Sequence, residues 1–204
     1  PDVRVLRREA PNSETSAEIR AFLEDPAPLI VGKANARSRV HRRVYMDYIG
    51  IKRRDEAGRL VGETRVVGLF ASSAYHASVL SIPYLRRKAE TVIERFAFSP
   101  RSHSAKALRV ALDSYSRDEM FQIDTDLLER FIGIITELGE RPRIRVLPRI
   151  DRFDRFASVL VFVPRERYDA RLRDEIGLLL AERYDGHVSA WYPAFPEGSL
   201  ASIH

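Results

Sequence analysis

Three observations in the 204-residue sequence predict an α+β fold. Two extended runs flank a charged turn at Arg53-Arg54-Asp55-Glu56-Ala57-Gly58, four helical periodicities follow one another between Ser81 and Gly139, and the order after Arg141 is strand, strand, helix, strand, strand. These divide the chain into an N-terminal hairpin-containing part, 1–80, a helical segment, 81–139, and a C-terminal antiparallel sheet with helices on one face, 140–204.

In chain order, Thr15-Ser16-Ala17-Glu18 fits a capping box, in which the threonine and the glutamate satisfy each other's orphan backbone donors. Ile19, Phe22 and Leu23 give the stripe of a short helix that Pro26 and Pro28 stop. Leu29-Ile30-Val31 predicts a short strand, and a polar link from Lys33 to Ser38 leads into the hairpin. Val44, Met46 and Tyr48 fall on one face of the first hairpin strand; Ile49 and Ile51 then take over the apolar face, with Gly50 at the shift, which predicts a bulge or sharp twist. Gly58 supplies the positive φ that the hairpin loop needs, and Val61 to Phe70 forms the partner strand.

Pro83 fits the first turn of a helix with the face Leu85, Ala89, Val92, Ile93 and Phe96. Ser99-Pro100 breaks it, and a second helix from His103 to Tyr115 buries Leu108, Leu112 and Tyr115. Ser116-Arg117-Asp118-Glu119 reads as a capping box opening a short helix through Phe121. Asp124 caps a fourth helix with the face Leu127, Phe131, Ile134, Ile135 and Leu138, ended by Gly139. Then Ile144, Val146 and Ile150 alternate with Arg143, Arg145 and Arg149, predicting a half-buried strand with its arginines outward; Pro148 argues for an edge position. Asp151 to Phe156 forms a turn, and the apolar run from Ala157 to Val163 a central strand covered on both faces. Asp169 caps a helix carrying Leu172, Ile176, Leu179 and Leu180, which Gly186 ends. Val188, Ala190 and Tyr192 predict another strand, Pro193 to Gly198 a loop, and Leu200 onward a last strand.

The totals narrow the function classes. Charged residues make up 31% and the net charge is +5. Nine Lys/Arg lie between Lys33 and Arg59 against Asp47, Asp55 and Glu56, so that hairpin region holds the whole excess. A solvated or interface hairpin outranks a nucleic-acid-binding module using Arg42, Arg43, Lys52, Arg53 and Arg54. No apolar run approaches the roughly 20 residues of a membrane span, and the absence of cysteine excludes disulfides and thiolate metal sites. Cytoplasmic residence is the expectation. Pro1 and the strand at Leu200 to His204 both read as cut ends, predicting a piece of something longer.

Candidates for chemistry are sparse. No phosphate-binding glycine loop is present, and His41, His76, His103, His187 and His204 show no metal-ligand spacing. Ser72, Ser73 and Ser78 near His76 lack a nucleophile-elbow motif. Asp124 and Asp126 read as capping residues rather than a metal pair, and Trp191-Tyr192 as a sheet edge packing on its helix rather than a stacking platform. No catalytic, cofactor or metal residue is assigned.

Four stretches carry a family resemblance. The run from Lys33 to Arg42, continued by Tyr45-Met46-Asp47-Tyr48-Ile49-Gly50, resembles the large bacterial NAD-specific glutamate dehydrogenases. So do Gly68 to Tyr75 with Ile82 to Lys88, Arg117-Asp118-Glu119-Met120-Phe121-Gln122, and Val161 to Tyr168. The resemblance implies an internal piece of the N-terminal regulatory half of a long polypeptide, a string of ACT-like and PAS-like modules. The sheet at 140–204 would be the ACT-like module and the hairpin part the PAS-like one. It implies a full-length oxidoreductase that uses NAD, bound elsewhere, to deaminate L-glutamate to 2-oxoglutarate. Expected partners are the remainder of the polypeptide with its catalytic domain, further copies in a homo-oligomer, and an amino-acid effector. By the same resemblance the effector would sit where a strand end meets a helix start, at Arg165, Arg167 and Asp169. A purely structural spacer is the other alternative.

Overall fold

A computed structural model describes residues 27–152, 155–196 and 198–204, which form parts of two compact units meeting in sequence at Ala77 and Ser78. The capping box at Thr15–Glu18, the helix after it and the centre of the expected turn at Phe153 and Asp154 lie outside the described residues.

The first unit is built on a three-stranded antiparallel sheet in the order β1 (Leu29–Arg37), β2 (Tyr45–Arg54), β3 (Leu60–Gly68), followed by a short helix α1 (Ser72–His76). The expected polar link after Gly32 is strand instead. It pairs with β2 from Leu29↔Ile51 to Lys33↔Asp47, and the Lys33 ammonium donates to Asp47 Oδ1 at 2.5 Å. The expected change of face at Gly50 is also corrected. Tyr48, Gly50 and Lys52 stay on one buried face, while Ile51 is 43% exposed. The irregularities fall between Lys33 and Arg37 and between Arg53 and Arg54. Gly50 has a different role: a Cβ there would collide with the Glu63 carboxylate, which accepts from the Tyr48 hydroxyl. The β2–β3 turn follows expectation, with Gly58 at φ +78°. Asp55 Oδ1 accepts from the Ala57 and Arg59 N–H groups, fixing the loop.

Among its described residues the second unit holds a run of four helices, then a four-stranded antiparallel sheet with a fifth helix. The helices are α2 (Pro83–Phe96), α3 (His103–Ser114), α4 (Arg117–Gln122) and α5 (Thr125–Glu140). Ser102, Ser116 and Asp124 cap α3, α4 and α5 by accepting from the N–H three residues on. The α2 face packs as expected through Leu85, Ala89 and Val92. On α5 the buried stripe is Leu128, Phe131, Ile132 and Leu138, so Leu127, Ile134 and Ile135 flank it rather than form it. The stripe is rotated because α5 packs against both α2 and α3. The helix also runs one residue past Gly139.

The sheet has the order β4 (Arg145–Ile150), β5 (Ala157–Pro164), β7 (Leu200–Ile203), β6 (Pro193–Ala194), with α6 (Ala170–Arg183) between β5 and β6. Pro148 lies on an edge strand, as its missing N–H requires. Val161, Val163, Ala201 and Ile203 pack on Leu172, Ile176 and Leu180 of α6 and on Trp191. Leu179, expected on that face, is 66% exposed. The opposite sheet face, including Leu147, Arg149 and Leu160, meets residues of α4 and α5. Strand β4 therefore has the reverse polarity of the expectation: Leu147 and Arg149 point inward, while Val146, Pro148 and Ile150 do not. The expected strand at Val188 to Tyr192 is confined to Pro193–Ala194. Tyr192 nevertheless exchanges backbone hydrogen bonds with His204. At the end of α6, Asp185 takes the positive φ of 47°, and the Gly186 N–H donates to Ala181 O.

Gly177 on α6 is buried against Trp191, and a Cβ there would overlap the indole. Gly177→Ala gains about 1 kcal/mol of helix propensity but forces Trp191 out of its packing, at about 1–3 kcal/mol. The expected result is a net loss of about 1 kcal/mol, read as a lower midpoint in urea unfolding.

Candidate functional site

The densest buried polar cluster of the second unit lies where the helices meet the sheet. Arg149 enters from β4 and Glu119 from α4. Arg149 Nε donates to Glu119 Oε2 at 2.7 Å and Nη2 to Oε1 at 2.9 Å, a bidentate pair whose side chains are 6% and 8% exposed. This replaces half of the expected capping box. Ser116 Oγ accepts from the Glu119 N–H, but the Glu119 carboxylate turns to Arg149 instead of returning to the cap. Burial alone would lower the Arg149 guanidinium, and the hydrogen-bonded charge of Glu119 overcomes it, so its pKa rises.

Around the pair, Ser158 Oγ and His204 Nε2 are 2.7 Å apart, and the same nitrogen lies 3.8 Å from Glu119 Oε1. Tyr115 lines this cleft, its hydroxyl pKa raised by burial and then by the Glu119 charge. Serine and glutamate approach the same ring nitrogen, so the trio cannot work as a nucleophile relay, which needs the two imidazole nitrogens on opposite partners. The enclosed space holds about one water molecule. Such a site can join two layers; it has no room for a metabolite.

Two more cations, Lys88 half-buried and Arg117 buried, support it from the helical side. The Lys88 ammonium donates to Met120 O, Phe121 O and Ile123 O at 3.0, 3.2 and 2.6 Å, closing the C-terminal end of α4. Burial pulls its pKa down to about 8, Asp124 acting the other way and Arg149 with it. Arg117 does the same for α3, donating to Leu112 O and Tyr115 O. Burial lowers its pKa against the opposing pull of Asp113. Asp113 in turn accepts from the Val79 N–H at 2.9 Å and binds Ser78 Oγ. Lys88, Arg117, Glu119 and Arg149 were all missed as site residues in the sequence. Arg149 was assigned to the solvent side because Val146 and Ile150 set the phase. Pro148 marks the edge but not the face, because its missing N–H lies in the plane of the sheet.

The residues singled out from sequence fall elsewhere. Asp169 Oδ1 accepts from the Leu172 N–H at 2.7 Å as the α6 cap. Arg165 Nη2 donates to Phe195 O at 2.9 Å, and its guanidinium lies over that ring. Arg167 is exposed at the end of a 3₁₀ turn (Arg165–Arg167). Asp124 caps α5 and Asp126 pairs with Arg95. Ser78 caps a turn at Val79–Ser81, while Ser72 and Ser73 lie in α1. Trp191 packs on α6, but Tyr192 is 53% exposed and tilts against His204. Among the described residues no cluster of three or more His, Asp or Glu could hold a metal, and no helix is long and apolar enough to cross a membrane.

Removing one partner of the buried pair leaves the other charge unmatched. Arg149→Met or Glu119→Gln should each cost about 3–5 kcal/mol. The double variant Glu119→Leu/Arg149→Met should cost clearly less than the two together, and urea unfolding of the four proteins measures the coupling. Lys88 gives a pH signature. Its folded pKa of about 8 lies below the usual 10.5, so between those values the unfolded chain binds more protons and stability rises with pH. The stability of the wild type relative to Lys88→Met should therefore increase from pH 8 to pH 10.5 and be flat below. Parallel unfolding curves across that range test it.

Comparison with known proteins agrees with this division of labour. Residues 82–141 match the family described as glutamate dehydrogenase, helical motif 1, and residues 145–204 match the glutamate dehydrogenase ACT2 domain. An NAD-specific glutamate dehydrogenase of Halomonas elongata is 36% identical over 96% of this chain, and one of Pseudomonas aeruginosa 38% identical over 90%. A Mycobacterium tuberculosis protein of the same name is 28% identical over 89%. The chain spans only 11–12% of the length of these relatives. The buried Arg149–Glu119 pair thus joins an ACT2 domain to helical motif 1, and the chain belongs to the NAD-specific glutamate dehydrogenase family.

Proposed function

We propose that this chain is a non-catalytic regulatory or assembly segment of an NAD-dependent glutamate dehydrogenase. The full-length chain would oxidatively deaminate L-glutamate to 2-oxoglutarate, with NAD bound outside these residues. The observation that carries the reading is the Arg149–Glu119 pair. It ties the ACT2 sheet to helical motif 1 through a bidentate contact that tolerates little sliding, so a shift of the sheet is passed to the helices. The remainder of the polypeptide and further copies of it are the proposed partners, and the cytoplasm the proposed location.

An amino-acid effector is the finer part of the proposal, at Arg165, Arg167 and the α6 start. Arg167 is exposed, while Arg165 would have to exchange Phe195 O for a ligand carboxylate. Asp169 already occupies the Leu172 N–H, so the arginines rather than the helix end would hold the anion.

The purified chain is expected to give no glutamate-dependent NADH. A thermal-shift screen of the amino acids should find a stabilising ligand whose affinity falls about tenfold, or 1.4 kcal/mol, in Arg165→Ala and in Arg167→Ala. Turnover scaling with the concentration of this chain would refute the non-catalytic reading. Unchanged affinity in both variants would remove the effector site alone.

A further inference from the structure

The hairpin tip between β1 and β2 concentrates basic side chains with no acidic residue among them. Several arginines elsewhere are matched to carboxylates: Arg59 to Asp55, Arg65 to Glu63, Arg95 to Asp126 and Glu129, Arg143 to Glu137, Arg155 to Asp151, Arg171 to Glu175. Between Arg37 and Met46 the sequence holds four arginines and His41 with no carboxylate at all. Arg37 and Arg42 lie over the rings of Tyr45 and Tyr75, each 4.8 Å from the centroid. Arg39 and Arg43 are exposed and make no hydrogen bond or ion pair with any described residue.

The tip is nevertheless fixed. The buried Ser38 hydroxyl donates to Val40 O and accepts from the Val40 N–H. The Ser38 N–H donates to Val44 O, and the Arg42 N–H to Val40 O. These bonds hold His41 at φ +62° and leave Val40 64% exposed at the apex, between Arg39 and His41. An exposed aliphatic side chain on a fixed turn, flanked by exposed cations, is the pattern of a protein interface, with an apolar centre and a polar rim.

We propose that this tip docks an acidic protein segment, with Val40 against an aliphatic side chain of the partner and Arg39 and Arg43 on its carboxylates. A nucleic acid fits less well, for two reasons. The β2–β3 turn, the next basic group, lies at the opposite end of β2 (Tyr45–Arg54), about 30 Å along the strand, and does not continue a phosphate track from the tip. The tyrosines that would stack bases are already covered by Arg37 and Arg42.

The test uses the whole chain and a fluorescein-labelled peptide alternating glutamate and leucine, followed by anisotropy, with oligothymidylate and inorganic polyphosphate as separate arms. The expected result is peptide binding that weakens about tenfold or more in Arg39→Ser/Arg43→Ser, several-fold in Val40→Ser, and steeply with salt. Arg53→Ser, at the far end of β2, should leave it unchanged. All the substituted residues are exposed, and equal melting temperatures confirm intact folding. No peptide binding, equal binding by the Arg39/Arg43 variant, or tighter binding of either polyphosphate-type probe with no effect of Val40→Ser would each overturn the proposal.

Discussion

The join between helices and sheet in the second unit rests on one bidentate bond, Arg149 to Glu119, made where both groups are nearly dry. A buried ion pair adds little net stability, because desolvating two charges costs about as much as their attraction returns. What it does impose is geometry. Two parallel N–H···O bonds hold a strand and a helix in one relative position, where an apolar contact would allow them to slide. It also reverses the polarity of β4: with Arg149 inward, Val146 and Ile150 on the same strand are left outward.

The helical layer is prepared for that bond by the way its short helices end. A helix of six residues such as α4 leaves most of its carbonyls without internal partners. Lys88 supplies three donors to that end from α2, and Arg117 does the same for α3 from the start of α4. Each cation is drawn into a site that disfavours its charge, and backbone carbonyls rather than carboxylates are its first partners. The result is a layer in which α2, α3 and α4 are cross-braced through main-chain atoms, so Glu119 is presented from a fixed support.

The first unit handles charge differently. Its sheet buries Tyr48 and Lys52 on the face of Ile30 and Ala34, with Tyr48 bonded to Glu63, and on the other face Lys33 pairs with the buried Asp47. The excess of positive charge visible in the composition is thus not spread over the hairpin. At the β2–β3 turn Asp55 pairs with Arg59, while the Ser38–Val44 loop carries its cations with no acidic residue among them.

Local chemistry made much of this legible in the sequence. Pro83, Ser102, Ser116, Asp124 and Asp169 mark helix starts through sterics and capping bonds that act within a few residues. Gly58 marks its turn for the same reason, and the strand–strand–helix–strand–strand order follows from periodicity. The resemblance carried by Lys33 to Gly50 and three later stretches identified the family. Which face of a strand is inside was beyond such reasoning, because it depends on what arrives from elsewhere in the chain. Alternation in β4 offers two phases, and only the approach of Glu119, thirty residues away, selects the one with Arg149 inward. Gly50 looked like a bulge and proved to be clearance for Glu63, from the neighbouring strand. The sequence by itself determined where elements begin and the family to which they belong; tertiary packing decided which charges are buried, since desolvation and pairing are properties of neighbours brought together only by the fold.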